Sequence, residues 1–268
     1  MASSMDAVAF SIQLLQLLGH RRTPRQSFFL QQICSLICKQ EDILEPAING
    51  TLNVLRSCKK NPWLKRIVLT SSSSTLRVRD DLRCNEVIDE SSWSSTELCE
   101  KLKMWYPLSK TLAEKAAWEF CSDNGIDMVT VLPSFIIGPS LPNDLCSTAS
   151  DVLGLLQGEV EKFQWHGRMG YVHIDDVALT HIQLFENEHA TGRYICSSSV
   201  IDNDELVAIL SKKYPWLPIP KRFEQYDRQR YYLDTKRLMG FNYQFKTIEE
   251  MFNDCIASFI NDGRLPSS

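Results

Sequence analysis

A phenol and an ammonium group lie four residues apart in this chain, at Tyr106 and Lys110. On a helix this spacing places both side chains on one face. A cation beside a phenol stabilises the phenolate, which lowers the tyrosine pKa towards a value suited to proton transfer near neutrality. A hydroxyl group at a neighbouring strand end would hold a carbonyl oxygen. These groups suit reduction of a ketone to an alcohol, with a nicotinamide as hydride donor and Tyr106 as proton donor.

A second tyrosine–lysine pair with the same spacing, Tyr232 and Lys236, lies in a polar stretch and is interpreted as structural. The sequence around Tyr106 and Lys110 distinguishes the first pair from it. Ser72 precedes Tyr106 by thirty-four residues and follows the short apolar run 65–70. A second apolar run, 128–132, follows the pair and ends at Pro133. The spacing alone is a weak signal, so the hypothesis depends on these flanking strands.

Helical and strand patterns alternate along the chain and predict an α/β fold with a parallel sheet. Ligands bind at the carboxyl ends of the strands in such sheets, which directs attention to the loops 70–74 and 133–139. The segments that carry this prediction are helices at 43–60, 106–121 and 176–185 and strands at 65–70, 128–132, 171–174 and 193–196.

Composition excludes several classes of function. A net charge of −4 over 268 residues provides no basic surface for a nucleic-acid backbone. The nine cysteines form no CxxC pair, Cys34 and Cys38 included, so we expect reduced thiols and no metal site. The apolar run 7–18 is too short to cross a membrane. It is either a small amphipathic helix or part of an organelle transit peptide, and no integral membrane span is expected.

Several polar residues have a structural interpretation. Asp202 with Glu205 and Thr247 with Glu250 match helix-start boxes. Asp175 and Asp176 fit capping and dipole interactions at a helix start. His173, beside them, is also interpreted as structural. The aromatic residues Phe163, Trp165 and Tyr171 fit either a core or a substrate cleft.

Four stretches together resemble the extended short-chain dehydrogenase/reductase superfamily: KRIVLTSSS, WYPLSKTLAEKAAWEF, VTVLPSFIIGPSLP and GYVHIDDVA. Within it they are similar to the plant dihydroflavonol reductase and cinnamoyl-CoA reductase group, and most similar to its tetraketide α-pyrone reductases. The resemblance extends from about Glu41 to the C-terminus. It implies a Rossmann-like sheet with an interleaved, smaller substrate domain.

The resemblance also implies roles for individual residues. Ser72 would bind the carbonyl oxygen, Tyr106 would act as the acid, and Lys110 would bind the nicotinamide ribose. Segment 133–136, with Pro133 and Ile136, would contact the nicotinamide, and Ser147 would lie near the cofactor phosphates. The implied cofactor is NADPH. The implied substrate is a polyketide, reduced during sporopollenin (pollen exine) precursor synthesis, with a dihydroflavonol or cinnamoyl-CoA phenylpropanoid as the alternative.

The chain departs from this family in two places. Only forty residues precede Glu41, and Gly19 is their sole glycine, so the first strand–helix units and their Gly-rich turn are expected to be absent. We therefore divide the chain into an atypical segment 1–40, the remaining dinucleotide-binding part 41–140, and the mainly substrate-binding part 141–268. The sheet edge is expected to be uncovered and apolar.

The second departure is Pro107, which directly follows the tyrosine. Proline is tolerated only in the first turn of a helix. Either the helix begins at Tyr106 or the phenol is displaced. Because the phosphate-binding turn is expected to be absent, we predict weak or no NADPH binding by this form, and a catalytically impaired form is the alternative to an active reductase. The expected location is cytoplasmic, and association with the endoplasmic reticulum or other enzymes of the pathway is left open.

Overall fold

Strands and helices alternate as the hydrophobic pattern predicts. The computed structural model describes residues 28–31, 40–139, 145–224 and 230–267. The strands are β1 (Phe28–Gln31), β2 (Ile67–Thr70), β3 (Glu86–Ile88), β4 (Met128–Pro133), β5 (Phe135–Ile137), β6 (Met169–His173), β7 (Gly192–Cys196), β8 (Ser199–Ile201) and β9 (Tyr231–Leu233). The helices are α1 (Gln40–Lys59), α2 (Ser74–Arg77), α3 (Thr96–Lys101), α4 (Trp105–Asp123), α5 (Ser147–Leu156), α6 (Glu161–His166), α7 (Ile174–Glu186), α8 (Asn203–Lys213), α9 (Lys236–Met239) and α10 (Ile248–Asn261).

The main sheet is parallel throughout, with the strand order β1-β2-β4-β7. Helices cover both faces of this sheet. Successive side chains of a strand point to opposite faces, so each strand contributes to both helical layers. In β2, Ile67 and Leu69 pack with residues of α1 and α4, whereas Val68 packs with residues of α7. All three are fully buried. The α/β class and the Rossmann-like arrangement are therefore confirmed.

A second sheet continues directly from the first. Ser134 alone separates β4 from β5, and β5 pairs with β6 in a sheet of order β5-β6-β8. Helices α5, α6, α8 and α10 pack around this sheet in the largest apolar cluster, which includes Phe163, Tyr171 and Phe252. Phe163 and Tyr171 are fully buried, so they belong to the core. The side chain of Trp165 lies outside the described residues.

The expected uncovered sheet edge is wrong for β2. The segment Phe28–Gln31 forms β1 and pairs with β2 in parallel, with Phe28 opposite Ile67 and Gln31 opposite Thr70. The run contains two phenylalanines, and aromatic side chains are favoured in strands. The apolar run 7–18 and the cysteines at 34 and 38 lie outside the described residues.

Pro107 is accommodated without displacing the start of the helix. Helix α4 begins at Trp105, one residue earlier than predicted, so Pro107 is its third residue. The first four N–H groups of a helix have no partner within it, and a proline there removes no helical hydrogen bond. The amide of Leu108 bonds the carbonyl of Met104 at 3.2 Å. Tyr106 and Lys110 therefore lie on one regular helix.

One of the two predicted helix-start boxes forms. The Thr247 hydroxyl accepts a hydrogen bond from the Glu250 amide, and the Glu250 carboxylate accepts one from the Thr247 amide. Asp202 occupies the N-cap position of α8 but makes no capping bond. Its carboxylate pairs instead with Arg168 at 2.9 Å, so this part of the prediction is wrong.

Asp175 and Asp176 lie in the first turn of α7, which agrees with the predicted interaction with the helix dipole, but neither caps the helix. The helix begins at Ile174, and its cap is His173, whose Nδ1 accepts from the Asp175 amide at 3.1 Å. The Asp176 carboxylate accepts from the hydroxyl of Tyr243 and from the amide of Lys246. Asp176 therefore anchors the segment before α10 rather than capping its own helix. His173 is fully buried and structural, as expected.

Within the described ranges, no helix is both long enough and apolar enough to cross a membrane.

Candidate functional site

The serine loop, residues 71–74, lies against the end of β4. The Ser71 amide donates to the carbonyl of Val131 at 2.8 Å, and the Ser73 amide donates to the carbonyl of Pro133 at 2.9 Å. These two bonds extend the β2–β4 pairing beyond the last residue of β2. The two loops that the sequence singled out are therefore adjacent at the carboxyl edge of the main sheet, with Ser72 between the two bonded amides.

Helix α4 presents a polar stripe to the same edge. Tyr106, Lys110 and Glu114 follow one another at intervals of four residues, so they share one face. Lys110 is 3% exposed and Glu114 is fully buried. The Ser71 hydroxyl donates to Glu114 Oε2 at 2.6 Å. This bond fixes the serine loop to the helix one turn beyond Lys110.

Arg193, on β7, completes a buried polar cluster around the loop. Its Nε donates to Glu114 Oε1 at 2.7 Å, and its Nη2 donates to Thr75 Oγ1 at 2.8 Å. Its Nη1 donates to the carbonyls of Glu90 and Ser92. The guanidinium also lies over the ring of Trp93, 3.7 Å from its centroid. Every nitrogen of this buried cation therefore has a partner.

Sequence reasoning missed Glu114, Thr75 and Arg193. Two signals were present in the sequence. Glu114 continues the four-residue spacing of Tyr106 and Lys110, and Arg193 is a charged residue within an otherwise apolar strand segment. An arginine in such a strand is expected to have a buried carboxylate partner.

The opposite face of the sheet secures the base of the loop. Thr70 Oγ1 lies 2.6 Å from Nε2 of His181, and His181 Nδ1 lies 2.7 Å from the carbonyl of Val177. Because a carbonyl only accepts, Nδ1 carries the proton and Nε2 accepts from Thr70. Burial lowers the pKa of His181 to about 4. The imidazole is therefore neutral at physiological pH.

The end of β4 and the segment after it contain the residues predicted to contact the cofactor. Ser134 is 8% exposed, and its hydroxyl has no hydrogen-bond partner among the described residues. Ile136 is half-buried on β5, and Pro133 is buried at the end of β4. Ser147 is the half-buried first residue of α5, at the positive end of that helix. The roles of Pro133, Ile136 and Ser147 towards a cofactor stay predictions.

The second tyrosine–lysine pair has no comparable setting. Tyr232 lies on β9 and Lys236 begins α9, so the two do not share a helix face. Lys236 Nζ bonds the Asp234 carboxylate at 3.2 Å on the surface. The structural interpretation of this pair stays a prediction.

A cavity of about 660 Å³ borders the polar cluster at Arg193 and Trp93. Trp93, Trp118 and Arg193 form part of its wall, and Arg237 and Asp234 form another part. Ser72, Tyr106 and Lys110 do not line it. Among the described residues, no group of three or more histidine, cysteine or acidic side chains is arranged to hold a metal ion.

A family model and individual relatives both match this chain. The model of the NAD dependent epimerase/dehydratase family matches residues 37–196. The chain is 66% identical over 226 residues to tetraketide alpha-pyrone reductase 1 of Arabidopsis thaliana, a match covering 84% of this chain and 69% of that protein. It is 34% identical over 234 residues to dihydroflavonol 4-reductase of Zea mays, covering 85% of this chain and 65% of that protein.

Solved reductase structures share the fold. Vestitone reductase from alfalfa, Medicago sativa, superimposes with a TM-score of 0.74 at 35% identity, covering 88% of this chain and 76% of that one. The yeast methylglyoxal/isovaleraldehyde reductase Gre2, solved with NADPH, superimposes with a TM-score of 0.72 at 26% identity. That match covers 88% of this chain and 77% of the yeast chain.

Proposed function

Because this chain belongs to the NAD dependent epimerase/dehydratase family, a family of nicotinamide-dependent enzymes, we propose that it is an NADPH-dependent ketoreductase acting on tetraketide α-pyrones. The reaction converts a carbonyl group of the substrate to a hydroxyl group, in the synthesis of sporopollenin precursors. The 66% identity to an Arabidopsis protein named for that substrate supports this choice.

One observation carries the proposal: the Ser71–Glu114 hydrogen bond joins the serine loop to the helix that bears Tyr106 and Lys110. In the proposed reaction, Ser72 donates a hydrogen bond to the carbonyl oxygen of the substrate. Tyr106 donates its phenolic proton to that oxygen as the carbonyl is reduced. Lys110 stabilises the resulting phenolate through its positive charge.

The bound nicotinamide supplies the hydride. Tyr106 and Lys110 would hold its ribose, Pro133 and Ile136 would contact its ring, and Ser147 would lie near its phosphates. The preference for NADPH over NADH rests on the yeast neighbour, which was solved with NADPH.

Phenylpropanoid reduction is the second candidate, since the chain is 41% identical over 184 residues to a cinnamoyl-CoA reductase of Medicago truncatula. A direct test supplies the purified chain with a tetraketide α-pyrone, a dihydroflavonol or a cinnamoyl-CoA, each with NADPH. We expect NADPH oxidation and a hydroxylated product with the pyrone. Faster turnover of a phenylpropanoid would reassign the substrate, and no turnover with any of them would favour the catalytically impaired form.

Cofactor preference requires a separate measurement. Titration of the chain with NADPH or NADH, followed by fluorescence, is expected to show tighter binding of NADPH. Equal affinity for the two would overturn that part of the proposal. Absence of binding by both would favour the impaired form, independently of the choice of substrate.

The cytoplasmic location is part of the same proposal. The described cysteines are all free thiols, which agrees with a reducing compartment. Fractionation of cells that express a tagged chain would test this location, and recovery in the microsomal fraction would point to the endoplasmic reticulum instead.

A further inference from the structure

We infer that Thr75, Arg193 and Glu114 are positioning residues that hold Ser72 for reduction, an inference that rests on the proposed function. None of the three lies in the predicted catalytic set. They restrain the serine loop through a series of hydrogen bonds that begins at Arg193 on β7 and ends at the main chain of Ser72.

Thr75 is the link closest to Ser72. Its Oγ1 donates to the carbonyl oxygen of Ser72 at 2.9 Å, and its amide donates to the same oxygen at 3.1 Å. Because the hydroxyl proton is directed to Ser72, Oγ1 is free to accept from Arg193 Nη2 at 2.8 Å. Thr75 is fully buried, so no water replaces either bond. The position of the Ser72 peptide therefore depends on a guanidinium on β7.

Glu114 restrains the loop from the other side. It accepts from the hydroxyl of Ser71 at 2.6 Å and from Arg193 at 2.7 Å. Ser72 is thus flanked by one residue bonded to Glu114 and by another, Thr75, bonded to Arg193. The two anchors are themselves an ion pair, which couples the loop to the helix that carries Tyr106.

A buried ion pair is not an efficient stabilising device in itself. The cost of removing two charges from water often cancels their attraction, and apolar replacements are frequently as stable. The pair contributes fixed geometry instead. The planar guanidinium of Arg193 donates hydrogen bonds to Glu114, to Thr75 and to the 90–92 loop at angles that its shape determines. Such fixed geometry matters for Ser72, since misplacement of a reacting group is costly in rate.

The test compares Thr75→Val with Thr75→Ser, and uses Thr180→Val as a matched control. Thr180 is also fully buried and donates to a backbone carbonyl, that of Asp176, at 2.8 Å, but it lies on α7. We expect Thr75→Val to lower kcat for the ketone about tenfold with little change in KM. Thr75→Ser is expected to restore most of the rate, and Thr180→Val to lower the melting temperature without lowering kcat.

A double-mutant cycle separates positioning from general destabilisation. If Thr75 acts through Ser72, Thr75→Val has no further effect on kcat in the Ser72→Ala background. Equal losses in both backgrounds would overturn the inference while leaving the proposed function in place. If Ser72→Ala alone leaves kcat unchanged, the proposed site itself fails, which is a different outcome.

Hydrogen exchange gives a readout that needs no turnover. Faster exchange in the peptide spanning residues 71–78 of Thr75→Val, with unchanged exchange in α7, would support the inference. The same variant with native protection throughout that peptide would contradict it. Arg193→Lys should show the same local loss, and Arg66→Lys, which removes a buried arginine paired with Asp127 far from the loop, should not.

Discussion

Thr70, the last residue of β2, donates a buried hydrogen bond to His181 on α7, with Thr70 Oγ1 2.6 Å from His181 Nε2. Nε2 accepts in this bond, so a proton on it removes the acceptor and places a charge in the core. The pKa of His181 is lowered to about 4 by burial, below its ordinary value of 6.5. This relationship makes the fold sensitive to acid.

The first prediction is a loss of stability between pH 6.5 and 4. In that range the unfolded chain binds a proton that the native imidazole does not, so the free energy of unfolding falls as pH decreases. The slope is at most about 1.4 kcal/mol per pH unit for one group. Urea unfolding of the native chain and of His181→Gln at several pH values would measure it. The variant should show a shallower slope, and identical slopes would contradict the assignment.

The second prediction concerns Pro107. Pro107 is the buried third residue of α4, so Pro107→Ala should lower the free energy of unfolding by about 1–2 kcal/mol through lost packing and leave kcat within twofold. Glu119→Pro, in the interior of the same helix, should cost about 3 kcal/mol. Thermal unfolding of both variants provides the comparison. A large kcat loss in Pro107→Ala would mean that the proline itself orients Tyr106.

The third prediction tests the cap of α10. Thr247→Ala removes the hydroxyl that accepts from the Glu250 amide, at a cost of about 1 kcal/mol in the free energy of unfolding. The exposed neighbour Glu249, which lies outside the capping box, serves as the control. Glu249→Ala should cost less than half as much in chemical denaturation. Equal effects of the two variants would show that the box contributes nothing beyond local charge.

The fourth prediction concerns thiol reactivity. Burial raises the pKa of Cys99 to about 11 and the pKa values of Cys121, Cys196 and Cys255 to about 12. Thiolate is the reactive form, so these four should resist iodoacetamide at pH 8 in the folded protein. Exposed Cys84 should be labelled. Peptide mass mapping checks this, and rapid labelling of Cys196 would show that the core opens readily.

The sequence predicted the sheet and its loops well, because buried parallel strands such as 128–132 are short apolar runs that end in recognisable turns. It predicted less well what polar side chains would bind. Asp202 looks like a helix cap, but its carboxylate is bonded to Arg168, thirty-four residues earlier. Asp176 similarly bonds Lys246, seventy residues later. Such partners are brought together only by folding, so local spacing cannot identify them.

The cluster around Arg193 illustrates the same limit at the candidate site. The four-residue spacing identified Tyr106 and Lys110, and the next residue at the same spacing is Glu114. Its significance depends on β7 lying beside β4, since only that strand order brings Arg193 to α4. The catalytic roles of Ser72, Tyr106 and Lys110 stay predictions.

The passage of the chain from β4 to β5 through Ser134 alone limits how the two sheets can move. A single residue adds only about 3.8 Å of chain, so little slack is available at this junction. Because the Ser73 amide is bonded to Pro133 at the end of β4, a displacement of the second sheet would be transmitted to the proposed catalytic serine rather than absorbed by a hinge.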